Sequence, residues 1–404
     1  MNNLSLEVRR TQTLSNAWKH VKRNGLASIS DEIRGKVNQF EEKSIQNLKR
    51  IYNQLLKNKF QFLPQKGFGK PRPGKNPRPI VIAPVENRIV QRAILEVLQN
   101  KVPAVADILK IPTSVGGIKG VEDAINQVTE AIRNGAKWYI RSDIHDFFAN
   151  IPKPLVINFL KSEIRDTEFL NLFEQAVETV LENASSLGDE LEHFPIEDTG
   201  VAQGSALSPL IGNILLKNFD IQMNGRGITC IRYIDDFVIL APNQKKALSA
   251  FKAAKKLLAD LGLLAYDPSE NPEKAKTGLT DNGFVFFWGC KIKNQTVVPS
   301  EKARQRLLIK IDRIFSTSIL SLRHPPKNKN SKIPKHGYGQ TITKLSHTIK
   351  GWDDAFKFCK NRPLSDKLNA SIDKRLLNYE KGISLLRQKS SSKEKKRIIG
   401  VYSL

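Results

Sequence analysis

The sequence predicts a mixed α+β or α/β body flanked by two basic arms. Three observations carry this. From about residue 138 to 300, short β-branched and aromatic runs alternate with amphipathic stretches. Residues 1 to about 60 place apolar side chains at three-to-four spacing, the helical period. The net charge of +25 is concentrated: residues 43–92 hold 12 Lys and Arg against the single acid Glu86, and residues 321–404 hold 20 against 6 acids. The rest of the chain is neutral overall. A neutral middle between two basic segments suits a body that grips a polyanion from two sides. A long nucleic acid fits better than a membrane, because no lipidation signal or amphipathic anchor accompanies the charge.

Each element follows from local pattern. "IQNLKRIYNQLLKN" (45–58) is a helix; "PQKGFGKPRPGKNPRP" (64–79) breaks all periodicity and reads as a basic, phosphate-facing loop. "IVIAP" (80–84) is a short strand and "ENRIVQRAILEVLQNKV" (86–102) a helix with an apolar stripe. "KWYIRSD" (137–143) is a strand ending in a turn at Asp143, and residues 157–184 are helical. "TGVAQGSALSPLIGNILLKNFD" (199–220) is a Gly-containing turn running into a helix near Ser208 or Pro209, Pro being tolerated in a first turn. "CIRYIDDFVIL" (230–240) is two strands around a polar tip, a hairpin. Residues 244–262 form an amphipathic helix stopped by Gly262, and "GFVFFWGCKI" (283–292) is one more apolar strand. Beyond residue 300 the chain is helical and basic, with a polar interruption over 323–340 and a low-complexity, mobile basic tail at "RQKSSSKEKKR" (387–397). In the N-terminal helices, Trp18 and His20 read as packing residues before stacking groups.

Composition narrows the classes. With 404 residues and 40% apolar content the chain has ample material for a core. No run of about 18 apolar residues is present, so no membrane span is expected, and the N-terminus lacks the apolar centre of a signal peptide. The three cysteines, Cys230, Cys290 and Cys359, are scattered without CxxC spacing, which fits a reducing, cytoplasmic setting and argues against structural zinc.

The chemistry centres on Asp235 and Asp236. Adjacent aspartates are often turn residues only. On a rigid hairpin tip, however, two carboxylates bind hard divalent cations such as Mg²⁺, which takes one or two carboxylates plus substrate phosphates. Asp143, ending another strand 92 residues earlier, is the third candidate ligand. Three carboxylates around two Mg²⁺ ions form a clamp for in-line phosphoryl transfer, with Mn²⁺ as a substitute. Asp146 is a weaker candidate, read first as a turn residue.

At this point "YIDD" (233–236) resembles the signature tetrapeptide of reverse transcriptases. "SDIHDFF" (142–148) resembles their first palm motif, "AQGSALSP" (202–209) the QG…SP motif after it, and "RPIVIAP" (78–84) the finger strand before it. "KAKTG" (274–278) and "FFWGCKI" (286–292) resemble the last two palm motifs, in the family's order. "LSHTIKGWDDAFKF" (345–358) resembles more loosely the thumb helix of group II intron-type enzymes.

The resemblance implies an α+β right hand of fingers, palm and thumb, divided as a helical N-terminal extension (1–63), fingers (64–137), palm (138–300), a basic helical thumb (301–388) and the basic tail (389–404). It implies metal binding and catalysis by Asp143, Asp235 and Asp236. It places Phe148 as a steric gate against a 2′-hydroxyl, with Phe147 in the core. It places Arg78 on the incoming triphosphate, with Lys70 and Arg72 as helpers; Lys75 adds charge beside them. Gln203 and Gly204 match the turn that contacts the nucleotide. Lys276 falls near the triphosphate, with neighbouring Lys274 as the alternative. Phe287, Trp288 and Gly289 match the turn gripping the primer end, and Lys344, Lys350 and Lys357 would hold nucleic acid.

Within this group II intron and retron-like superfamily, the chain lacks the segments that intron enzymes carry after the thumb and the retron VTG triplet, and keeps the QG motif that diversity-generating enzymes replace. It is most similar to the bacterial "unknown group" reverse transcriptases associated with antiphage defence. That resemblance implies DNA synthesis from dNTPs, copied from or guided by a structured noncoding RNA. Alternatives are template-independent or protein-primed synthesis by the same fold, a retron enzyme, and an RNA-binding intron maturase. Homo-oligomerisation is left open.

Overall fold

A computed structural model describes residues 3–28, 30–72, 75–116, 120–282, 284–286, 289–293, 296–324, 336–359 and 362–400. The chain divides into two compact units, Met1–Leu279 and Thr280–Leu404.

The first unit opens with helices α1 (Leu4–Arg9), α2 (Thr11–Leu26), α3 (Asp31–Glu42) and α4 (Ser44–Leu56). Their apolar faces bury Leu14, Ala17, Trp18, Val21, Phe40 and Ile51, and Trp18 packs on Phe40 with ring centroids 4.5 Å apart. The predicted basic loop is instead a hairpin of β1 (Lys66–Arg72) and β2 (Lys75–Ile82), registered Lys70 opposite Arg78 and Gly69 opposite Pro79. Both strands are edges of a two-stranded sheet, where Pro is tolerated because few N–H groups are needed for the ladder. Next come α5 (Val85–Lys101), almost wholly apolar on its inner face, α6 (Pro103–Lys110), β3 (Ser114–Val115) and α7 (Val121–Arg133).

β4 (Trp138–Asp143) leads through a 3₁₀ turn, Phe147–Ala149, to α8 (Lys153–Glu163) and α9 (Thr167–Val177). The expected single helix over 157–184 is thus broken, because Asp166 caps α9 by accepting from the Phe169 amide at 2.9 Å. α10 (Ser208–Leu215) and α11 (Lys217–Gln222) follow, then the hairpin β5 (Thr229–Tyr233) and β6 (Asp236–Ala241), α12 (Gln244–Ala259) and β7 (Lys276–Leu279). These strands form one sheet in the order β3-β5-β6-β4-β7, with α7 and α12 packed against it. β6 is buried throughout its apolar run, Phe237 to Ala241, as a central strand should be. One continuous core links the helices around Trp18 and Ile89 to Phe219, Phe237 and Phe251.

The second unit begins with a three-stranded antiparallel sheet, β8 (Phe284–Phe286), β9 (Cys290–Lys293) and β10 (Thr296–Pro299). The single strand expected over 283–292 is therefore folded back on itself, Phe286 pairing with Cys290. Helices α13 (Glu301–Arg323), α14 (Tyr338–Phe356), α15 (Arg362–Gln388) and α16 (Ser392–Ile399) complete it around Leu307, Ile311, Phe315, Leu345 and Tyr379. The expected mobile tail is a helix. Ser391 and Glu394 form a reciprocal capping box, Ile398 is 2% exposed, and Arg397 donates to the Leu322 carbonyl at 2.9 Å. Among the described residues no helix is long and apolar enough to cross a membrane.

Candidate active site

The register of the five-stranded sheet dictates the site. β4 runs antiparallel to β6 with Asp143 directly opposite Asp236. On its other side β4 runs antiparallel to β7 with Arg141 opposite Lys276; continued by two residues, that register sets Lys274 beside Asp143. Lys274 Nζ indeed lies 2.9 Å from Asp143 Oδ2. Arg141 Nη2 lies 3.3 Å from Asp236 Oδ1. Asp235 sits in the two-residue turn between β5 and β6 and makes no ion pair among the described residues. Three carboxylates thus share two cations.

The electrostatics follow. Burial, then the charges on Asp143 and Asp236, push the Asp235 carboxyl up to about 6. Asp236 is also raised, by burial first, with Arg141 opposing and Asp143 adding. Burial, the largest single effect, works against the Lys274 charge, but the hydrogen bond to Asp143 together with the charges of Asp143 and Asp236 raises its proton affinity overall. Among the described residues no three such side chains are already gathered tightly enough to hold an ion. The ion pairs draw Asp143 and Asp236 toward their own cations.

The tip is strained and clamped. Ile234, the first turn residue, has φ 57°, a left-handed conformation that β-branched residues avoid. Arg232 Nη1 donates to the Ile234 carbonyl at 2.7 Å. The same guanidinium is 1% exposed, holds Asp220 through Nε at 2.7 Å and Nη2 at 2.5 Å, and reaches Ser114 Oγ and Asn213 Oδ1. Arg232 and Asp220 were absent from the sequence reading. The only signal was a charged residue at a position where β5 should face the core.

A cleft of about 910 Å³ opens over Asp143 and Asp235. Backbone hydrogen bonds assemble its walls. The Val81 amide donates to the Gln203 carbonyl at 3.1 Å, the Val201 amide to Phe148 at 2.7 Å, and the Ile144 amide to Asp235 at 3.0 Å. Gly204 has φ 122°, and a Cβ there would stand 2.9 Å from the Val81 carbonyl oxygen, so only glycine permits this approach.

Residues 69–286, more than half of the chain, match the family model described as reverse transcriptase (RNA-dependent DNA polymerase). The chain belongs to this family. As a reverse transcriptase it is an RNA-directed DNA polymerase with the α+β polymerase fold. This reverse transcriptase is 23% identical over 300 residues to "Protein YkfC" of Escherichia coli (strain K12), covering 63% of the chain and 76% of that protein. It is 24% identical over 237 residues to the "Putative COX1/OXI3 intron 1 protein" of Saccharomyces cerevisiae, covering 57% of the chain but only 25% of that protein. Among solved structures it is similar to apo telomerase from Candida tropicalis (TM-score 0.42, 16% identity, 59% of the chain and 55% of that one). A partial Cas6-RT-Cas1–Cas2 complex gives TM-score 0.35 at 24% identity, with 63% and 40% covered.

Within the reverse transcriptase cleft, the structure gathers Arg72, Arg78, Phe148 and Gln203 with Asp143, Asp235 and Lys274. Phe148 is half-buried, its ring 5.4 Å from that of Phe147, which is 2% exposed in the core. Asp146 lines the cleft as an exposed turn residue with φ 39°. Lys276 is exposed on β7 and does not line the cleft; Lys274 does. Lys70 is exposed outside it, and Lys75 faces Arg72 in the hairpin register. Gly289, φ 77°, turns the chain into β9 in the second unit, while Phe287 and Trp288 lie outside the described residues. Lys344 and Lys350 are exposed on α14 and Lys357 caps its end. One wall escaped the sequence reading: Glu192, His193 and Glu197, from the acidic segment before the QG turn, face the same cleft as Arg72 and Arg78.

Proposed function

We propose that Asp143, Asp235 and Asp236 are the metal ligands of this polymerase and that the cleft above them takes the incoming dNTP. The observation that carries this is the pairing of Asp143 with Asp236 across adjacent strands, with Asp235 next to them and lacking a cation. The donor set fits Mg²⁺, being all oxygen and partly buried. Bound there, two Mg²⁺ ions (or Mn²⁺) would activate a 3′-hydroxyl and neutralise charge developing on the triphosphate. The protein's own groups bind and orient. Lys274, in place of Lys276, fixes Asp143; Arg78 and Arg72 meet the triphosphate; Gln203 borders the nucleotide, and Gly204, outside the cleft, lets its turn approach Val81; Phe148 closes the space beneath the sugar. Phe287, Trp288 and Gly289 hold the primer end.

In this reading residues 1–63 extend the fingers (64–137), 138–300 form the palm, 301–388 the thumb, and 389–404 close the chain. Lys70, Lys75, Lys344, Lys350 and Lys357 contact phosphates. The subfamily resemblance supports synthesis on a dedicated noncoding RNA in antiphage defence. Primer extension by Asp235→Ala with Asp236→Ala tests the site. Synthesis should fall on the order of 10³-fold or more, because electrostatic stabilisation is most of phosphoryl-transfer catalysis. RNA binding, resting on the basic segments, should stay within about twofold. A double variant that still extends primers would refute the assignment. Sequencing RNA and DNA recovered with the protein from its host tests the RNA partner; a random population would refute it.

A further inference from the structure

The three cysteines stand in different surroundings. Cys230 lies on β5 in the first unit, buried, and burial pushes its thiol up, away from reactivity. Cys290 and Cys359 both belong to the second unit and touch: the Cys290 thiol donates a hydrogen bond to the Cys359 sulfur. Cys290 is 0% exposed on β9, the central strand of its sheet, opposite Phe286 of β8 on one side and Pro299 of β10 on the other. Cys359 is half-buried and follows the end of α14, its amide donating to the Phe356 carbonyl at 2.8 Å. One sulfur is fixed in a ladder and shut off from solvent. The other stands at a helix end, open to it.

Packing alone accounts for Cys290, a small apolar group in a core site, but not for a half-exposed sulfur set against it. The contact divides the roles. The hydrogen bond from Cys290 lowers the proton affinity of Cys359, against the burial that raises it. The same bond, then burial, raises that of Cys290. The thiolate is the nucleophile, and an accessible thiol of lowered proton affinity beside a second cysteine is the arrangement that peroxide oxidises selectively.

We propose that Cys290 and Cys359 form an oxidation site, at which hydrogen peroxide joins the two thiols in an intramolecular disulfide that clamps the end of α14 to β9. The Cys359 thiolate attacks one peroxide oxygen and the O–O bond breaks. Hydroxide leaves, takes up the proton that Cys359 released, and departs as water, so that Cys359 becomes a sulfenic acid. The Cys290 sulfur then attacks the Cys359 sulfur and the S–O bond breaks. This hydroxide takes the Cys290 proton and leaves as a second water. The sulfurs together lose two electrons, and the peroxide gains them. The bond closes residues 290–359, with β10, α13 and α14, into one loop. α13 is already joined to the sheet through Ser300, whose hydroxyl accepts from the Ala303 amide at 3.2 Å and whose amide donates to the Gly289 carbonyl at 2.5 Å. Thiol reductants reverse the bond by exchange. The proposal does not rest on the carboxylate assignment.

Peroxide treatment of the full-length protein, followed by alkylation and peptide mapping without reductant, tests it. The expected product is a cross-linked pair of peptides carrying Cys290 and Cys359, with the intact mass lower by two hydrogens and Cys230 unmodified. Dithiothreitol should restore both thiols. Cys290→Ser removes the resolving sulfur, so dimedone should capture the Cys359 sulfenic acid at about tenfold higher yield than in the wild type. Cys359→Ser should abolish the reaction. A melting curve confirms that each variant folds; the wild-type map with Cys359→Ser carries the test if Cys290→Ser does not. The disulfide should raise the melting temperature by about 4 °C or more, as closing a long loop does. Thiols that stay alkylatable after peroxide, a dimedone adduct that persists on wild-type Cys359, or cross-links between molecules in place of within one would overturn the proposal. A disulfide that leaves melting unchanged would overturn the clamp.

Discussion

Asp235→Asn should stabilise the metal-free protein while abolishing synthesis. In the folded state the Asp235 carboxylate lies near two others, and Arg141 and Lys274 are engaged with those. Its proton affinity rises from an ordinary 3.8 to about 6. A rise of roughly two units corresponds to about 3 kcal/mol of penalty on the charged form, an upper bound. Burial, the larger cause, also penalises an amide, so the net gain from Asn should be about 1–2 kcal/mol. The sign is set by the direction of the shift. Below about 4 the folded and unfolded carboxyls are both protonated and the two proteins should melt alike. As pH rises toward 6 the wild type loses stability that the variant keeps, and above 6 the difference is complete. In melting temperature this is about 2–4 °C per kcal/mol for a unit of this size. Circular-dichroism melts in EDTA from pH 4 to 8 measure it. Saturating Mg²⁺ should then stabilise the wild type by mass action and not the variant, reversing the order. A variant equal to or less stable than wild type in EDTA above pH 6 would refute the account of the carboxylates as mutually repelling.

The other expectations are direct. Phe148→Ala should lower discrimination against ribonucleotides by about tenfold or more, read as the ratio of kcat/KM for dNTP and rNTP; an unchanged ratio moves the gate elsewhere. Lys274→Ala should cut primer extension by about 10–100-fold and Lys276→Ala by less than about twofold, since only Lys274 reaches Asp143; equal losses would contradict this. Arg232→Met should cost about 3–5 kcal/mol in urea unfolding because it strands the buried Asp220 charge, and adding Asp220→Leu should restore most of the stability but not activity. Truncation after residue 388 should destabilise the second unit by about 2–4 kcal/mol, the cost of uncovering the Ile398 site; an unchanged melt would mean that α16 does not dock.

What the sequence disclosed was local. The apolar runs around Asp235 and before Asp143 carry the period of strands, and strand pairing alone sets the two aspartates opposite one another. The hairpin at 66–82 was hidden by its prolines, which count against strands in general but not against two edges. Gly289 in "FFWGCKI" was a visible warning that the strand turns, and "SSKE" at 391–394 a visible capping box in what looked like a disordered tail. The choice between Lys274 and Lys276 was open because residues two apart in an extended run share a face, and the sequence did not show that β7 begins only at Lys276. Only the pairing with β4 shows which stands beside Asp143.

The Arg232 network could not be read at all, since its members come from β3, β5, α10 and α11, distant in sequence. Its purpose follows from the strain beside it. A left-handed isoleucine costs of order 1–3 kcal/mol and would relax if the turn were free to move. Arg232 holds the Ile234 carbonyl with a guanidinium that is itself fixed by Asp220, Ser114 and Asn213. Relaxing the turn would forfeit that bond and leave a buried polar group unsatisfied, a loss comparable to the strain. The carboxylate of Asp235, one residue on, is thereby kept next to Asp143 and Asp236 despite the burial, first, and the repulsion, second, that raise its proton affinity. The chain accepts strain and like-charge repulsion at the same tip. A substrate complex that supplies positive charge there relieves the repulsion without moving the backbone, which is what preorganisation of a polymerase site requires.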